Sequence, residues 1–239
     1  MKSFKSTLAT AAAVLAGVSA SFGAVTYQQT GTTALTTSTA TVSAILEDVN
    51  FAPATVSPQQ LTNMSFGYAV LPSTTAQTGA VFIDFYDTFT PTATGSVVSD
   101  YIGGFSGTLN ITANTSTTAN AYRASSFANL NTLSTPINFK DNSFAVVITF
   151  TDSTGGFYSS VLTPFTSSNA PTIGTTATGV YRDANSDGTF QSNELVSNVG
   201  NYYMSLTTVA VPEPSSLALM GLGGAALLGG AFRLRRREA

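Results

Sequence analysis

Residues 183–194 read Asp-Ala-Asn-Ser-Asp-Gly-Thr-Phe-Gln-Ser-Asn-Glu, and their oxygens are spaced to surround a hard cation. Asp183, Asn185 and Asp187 put short oxygen-bearing side chains at alternate positions, and Gly188 permits the sharp turn after them. Thr189, Gln191 and Glu194 carry further oxygens along the same stretch. Ca2+ takes about six to eight such ligands, so this set predicts a calcium site. The same Asn, Asp and Gly also suit a hairpin turn that needs no metal. Both readings stay open on the sequence.

The twelve residues resemble an EF-hand loop, with Phe190 in its hydrophobic eighth place, and the resemblance implies that Thr189 lends its backbone carbonyl, Gln191 acts through a water and Glu194 closes the shell with both carboxylate oxygens. Their flanks depart from that family. Thr175–Tyr181 alternates like a strand, and Leu195–Asn198 is too short for a strong second helix. Elsewhere the chemistry is bounded by absences: the chain has no His, no Cys and no Trp. Lack of Cys excludes disulfide and thiolate chemistry. Lack of His removes the commonest general base and metal ligand. A Ser nucleophile needs such a base, and Gly104-Phe105-Ser106-Gly107 lacks both a partner and the Gly-x-Ser-x-Gly spacing. A glycosidase needs two carboxylates flanking the scissile bond. Asp84 and Asp87 stand an odd number of residues apart on a strand and so face opposite ways. A non-enzyme is expected, with a glycoside-active enzyme only a third reading.

Charge narrows the partners. Between residues 25 and 210 only Arg123, Lys140 and Arg182 are basic, against ten acids, for a net charge of −7. Nucleic-acid binding needs clustered positive charge, so no nucleic-acid partner is expected.

Period-two alternation supplies the scaffold. Met64, Phe66, Tyr68 and Val70 form one stripe, Val81, Ile83 and Phe85 another, Phe144, Val146, Ile148 and Phe150 the strongest, and Tyr202, Met204 and Leu206 a late one. Weaker strands are expected over Thr41–Leu46, Thr108–Thr112, Phe157–Phe165 and Gly179–Arg182. Turn formers separate them, among them Pro58, Pro72, Gly79, Pro91, Gly95, Gly103-Gly104, Pro136 and Gly155-Gly156. Ser125–Leu133 is the best candidate for a short helix. The pattern predicts an all-β domain over 25–208, an antiparallel β-sandwich or jelly roll. Phe66, Ile83, Val146, Ile148 and Met204 are expected in its core.

Both ends read as addresses. Lys2 and Lys5 precede an apolar run from Leu8 to Ala20, the plan of a secretory signal peptide over 1–24 with cleavage after Ala20 or Ala24. At the other end a linker is expected over 209–216, a transmembrane helix over 217–234 and a basic cytoplasmic tail over 235–239. The 20 residues from Ser215 to Leu234 would span about 30 Å as a helix. Arg233, Arg235, Arg236 and Arg237 would hold that end in the cytoplasm, leaving the β domain outside.

Pro212-Glu213-Pro214, the apolar run and the Arg cluster, from Val211 to Ala239, resemble the PEP-CTERM sorting signal of Gram-negative bacteria. The resemblance implies recognition by exosortase, a membrane protease thought to cut near the Pro-Glu-Pro, after signal peptidase has acted at the other end. It implies transient anchoring in the inner membrane, then release to or display on the cell surface. The expected role is a structural or adhesive protein of the surface or extracellular matrix. The alternative is a module that binds extracellular polysaccharide. Exposed aromatics along one sheet face would favour that alternative, and an evenly Thr-coated surface the structural role.

Overall fold

The computed structural model describes residues 23–32, 35–37, 44–52, 58–72, 75–93, 96–116, 120–152, 162–167, 169–183, 189–196 and 201–211. All described strand pairings are antiparallel. One six-stranded sheet is built on β4 (Gln59–Val70). Along one edge of β4 lie β15 (Met204–Ala210) and then β10 (Leu162–Thr163). Along its other edge lie β8 (Asn138–Phe139) and β7 (Ala121–Phe127), while β1 (Ala24–Gln29) flanks β15.

The second six-stranded sheet has the order β13 (Leu195–Val196), β12 (Thr175–Arg182), β3 (Ala44–Asn50), β9 (Ser143–Asp152), β5 (Gln77–Pro91) and β6 (Ser96–Ile111). A small sheet of β14 (Asn201–Tyr202), β11 (Phe165–Ser167) and β2 (Leu35–Thr37) completes the fold. Its Phe165, with Tyr203 just after β14, lies over Gly67 of β4, where a Cβ would come within 2.3 Å of the Phe165 ring.

The two large sheets share one core. Met64, Phe66, Met204 and Leu206 from the first meet Val81, Ile83, Val146, Ile148 and Phe150 from the second, all of them buried. Phe66 and Phe150 touch across the interface, ring centres 6.2 Å apart. Phe85, Phe139, Phe144 and Phe51 form an aromatic knot, with Phe139 and Phe144 at 4.4 Å and Phe51 and Phe144 at 4.8 Å. The five residues expected in the core are all in it, and the two-sheet all-β arrangement agrees with the sequence pattern.

Three local expectations are corrected. Ser125–Leu133 is not an α-helix: Ser125 and Ser126 pair with Phe66 and Ser65, and Phe127 enters the core between Phe66 and Phe105. Pairing with β4 overrides local helical preference, and only a 3-10 turn over Leu130–Thr132 follows, entered through Asn129 at φ 58°. Gly79 and Gly103-Gly104 do not make turns but lie inside the long hairpin of β5 and β6. There Ile102 is an extra residue, a bulge, since Phe85 pairs with Gly103 and Tyr86 with Tyr101. Finally, β15 runs through Ala210, so Val209 and Ala210 belong to the domain rather than to the linker.

Candidate functional site

The expected calcium loop joins β12 to β13, which pair as a hairpin through Val180 with Val196 and Tyr181 with Leu195. Its flanks are therefore strands, the first as the alternation of Thr175–Tyr181 predicts, and not the helices of an EF-hand. Asp183 and Glu194, the first and last of the expected ligands, are both buried. Glu194 Oε2 accepts a 2.8 Å hydrogen bond from the Gln191 backbone N–H, a capping box at the 3-10 turn Ser192–Glu194. Phe190 anchors the loop by packing in a T-shaped contact with Phe89 at 6.5 Å. Thr189 and Gln191 are half-buried beside it. Asn185, Asp187 and Gly188 lie outside the described residues, so four of the six expected ligands have places in the fold.

A second ionisable cluster sits in the core itself. Glu47 points inward from β3 between Ile45 and Val49 and is 1 % exposed. Its Oε1 accepts from the Tyr27 hydroxyl at 3.3 Å and its Oε2 from the Tyr202 backbone N–H at 3.1 Å. Burial pushes the carboxyl from 4.5 up to about 8, and the two hydrogen bonds only partly oppose it. Burial and the neighbouring Glu47 also raise the Tyr27 and Tyr202 hydroxyls. The Tyr202 hydroxyl donates to the Gly67 carbonyl. Sequence reading missed Glu47, although its parity with Ile45 and Val49 already assigned it to the inner face.

The outer face of the second sheet carries a third group of residues. Strand register arranges them in rows. One row runs Asp48, Ala145, Tyr86, Tyr101, the next Leu46, Val147, Asp84, Gly104, and the third Thr149, Phe82, Ser106. At the β12 side this face is covered by a small second core of Leu46, Ala145, Tyr181 and Phe190, against which Tyr86 and Phe89 pack. Toward β6 it is open: Phe82 is 44 % and Tyr101 59 % exposed. The Tyr101 ring leans on Tyr86 with centres 5.5 Å apart, and its hydroxyl donates to Asp84 Oδ1 at 3.2 Å. Gly104 makes room for that contact, since a Cβ there would lie 2.2 Å from the carboxylate oxygen. Partial burial raises the Asp84 and Asp48 carboxyls. Ser106 lies mid-strand opposite Phe82, a position unlike a nucleophile elbow.

At the C-terminus, residues 210–237 match the family model described as the PEP-CTERM protein-sorting motif. This chain carries a PEP-CTERM sorting signal. No curated protein and no solved structure matches the chain. The matched span contains Pro212, Glu213, Pro214, Arg233, Arg235, Arg236 and Arg237, and it begins where β15 ends. Those residues, the transmembrane helix expected over 217–234 and residues 1–22 of the signal peptide expected over 1–24 lie outside the described residues. Among the described residues no helix is long and apolar enough to cross a membrane. Ala24, the second candidate for signal cleavage, is the first residue of β1 and pairs with Thr208.

Proposed function

We propose that this PEP-CTERM protein is a non-enzymatic structural or adhesive component of the cell surface or its extracellular matrix. The observation that carries the reading is the position of the sorting motif. A PEP-CTERM motif marks a protein for export and for sorting by exosortase at the membrane, and here it starts at residue 210, the last residue of β15. A cut near Pro212-Glu213-Pro214 would free the β domain with every described strand intact. Signal peptidase would act at the other end after Ala20, which keeps the pairing of Ala24 with Thr208, whereas cleavage after Ala24 removes it. Transient anchoring through the helix expected over 217–234, with the Arg cluster inside, would orient the domain outward. Calcium at Asp183–Glu194 would act as a brace for the hairpin of β12 and β13.

Intact-mass analysis of the released protein tests the processing. The expected mature chain lacks about the first 20 residues, as a signal peptide of ordinary length would, and everything after the Pro-Glu-Pro. Exosortase-deficient cells should retain the precursor in the membrane. Mature surface protein that still carries Arg235–Arg237 would overturn exosortase release and leave a plain membrane anchor. The second reading, binding of extracellular polysaccharide, is favoured by the exposed rings of Phe82 and Tyr101 on a single sheet face.

A further inference from the structure

We infer that the open outer face of β5 and β6, formed by Phe82, Asp84, Tyr86 and Tyr101 around Gly104 and Val147, is a binding platform for a neutral, hydroxyl-rich polysaccharide chain. The inference rests on the polysaccharide reading above and gives it a place and a ligand class. An exposed apolar ring on a soluble surface is unremarkable alone, whereas several on one face mark a contact site. Here two exposed rings, Phe82 and Tyr101, and the half-buried Tyr86 surround one carboxylate, Asp84. Phe82 and Tyr86 stand four residues apart on β5, roughly 13–14 Å by the rise of a strand. A span of that size exceeds one sugar ring, so the surface suits a chain rather than a monosaccharide.

The chemistry of the rows selects the ligand. A pyranose presents C–H faces and hydroxyl edges. Its faces can lie on Phe82 and on the Tyr86–Tyr101 pair, and its hydroxyls can donate to Asp84, whose ionised form makes the stronger acceptor. Val147 and Gly104 keep the floor between the rings low. Tyr101 is held before any ligand arrives, by its ring contact with Tyr86 and its bond to Asp84, which lowers the ordering cost of binding. Charge excludes the polyanionic alternative. Asp48 and Asp84 stand in these rows, and none of Arg123, Lys140 and Arg182 does. A carboxylate between the rings is equally unsuited to an apolar protein interface, whose centre is depleted of charge.

The test is affinity electrophoresis of the full chain, in a non-glycosidic detergent, through gels containing hydroxyethylcellulose, dextran or alginate. Retardation by at least one neutral glucan is expected, with little by alginate. Tyr101→Ala and Phe82→Ala should each weaken it about ten-fold or more, equivalent to about 1.4 kcal/mol. Both side chains are largely outside the core, so unchanged thermal melting will confirm that the variants fold. Retardation that both variants keep would overturn the platform while leaving polysaccharide binding standing. No retardation by either neutral glucan would overturn both. Retardation by alginate alone, or self-association that Tyr101→Ala abolishes, would overturn the neutral-glycan assignment in favour of a charged ligand or a second copy of the chain.

Discussion

Replacing Glu47 with Gln should remove a pH dependence that the wild-type domain carries in its core. The folded state holds the Glu47 proton up to about pH 8, whereas the unfolded chain releases it near 4.5. Between those values the native state binds more protons than the unfolded one, so stability falls as pH rises. Below about 4.5 the contribution is fully present, and above about 8 it has been lost. At about 1.4 kcal/mol for each pH unit, the window corresponds to about 5 kcal/mol. Domains of this kind have net stabilities of about 5–15 kcal/mol, so the effect is large. Gln keeps the shape and both partners: its oxygen can accept from the Tyr202 N–H, and its amide can donate to the Tyr27 hydroxyl oxygen. Urea unfolding from pH 4.5 to 8.5, followed by tyrosine fluorescence, reads the difference directly. The variant should match the wild type within about 1 kcal/mol at the acid end, as a shape-conserving change with its hydrogen bonds kept. It should exceed the wild type by several kcal/mol at the alkaline end. The slope left in the variant belongs to Asp48 and Asp84, whose half-buried carboxyls are also raised and so act in the same direction. Parallel stability curves for the two proteins would refute the account, because they would mean that Glu47 is ionised in the folded state at neutral pH.

Ile148→Ala should cost about 2–5 kcal/mol in denaturant unfolding, because Ile148 is fully buried between Ile45 and Ile83 on the neighbouring strands. A loss below about 1 kcal/mol would mean that this part of the core collapses around the cavity. Calcium at ten times its dissociation constant should raise the domain's stability by about 1.4 kcal/mol over chelator, with affinity in the extracellular range of roughly 10⁻⁴–10⁻³ M. Equal melting midpoints with calcium and with chelator, and no calcium-dependent difference in Asp187→Ala or Glu194→Ala, would leave the loop as a hairpin only.

The strands that were legible in the sequence are those whose alternation runs unbroken. Phe144 to Phe150 and Val81 to Phe85 keep one parity throughout, and both stripes are buried as the pattern implies. β4 shows why others were read short. Asn63 pairs with Thr207 and Leu61 with Thr208, so Thr62 is bulged and the inward parity changes there. Leu61 and Met64 are both buried although they stand an odd number of residues apart. A period-two reading that begins at Met64 therefore stops before Leu61. The same break at β1 buries both Thr26 and Tyr27, and that strand left no stripe to find. β7 was hidden differently: Ala, Arg and Ser dominate Ala121–Phe127, and only pairing with β4 makes the segment a strand.

The sites follow the same logic. Spacing along the chain was enough to single out the Asp183–Glu194 loop, since its oxygens are local. Glu47 and the outer face depend on neighbours distant in sequence. Asp84 meets Tyr101 only because the bulge at Ile102 resets the register of the β5–β6 hairpin, pairing Tyr86 with Tyr101 one row from Asp84. Without that extra residue, Tyr101 would change faces, because a shift of one residue turns every following side chain over. Gly103-Gly104, which signalled a turn, instead serve this crossing of strand and side chain. Gly103 lies on the inner face under Ile137, and Gly104 lies on the outer face under the Asp84 carboxylate. One irregularity in one hairpin thus keeps the core sealed on its inner side and brings a ring and a carboxylate together on its outer side. A deletion of Ile102 should accordingly disperse the aromatic face even if the hairpin still forms.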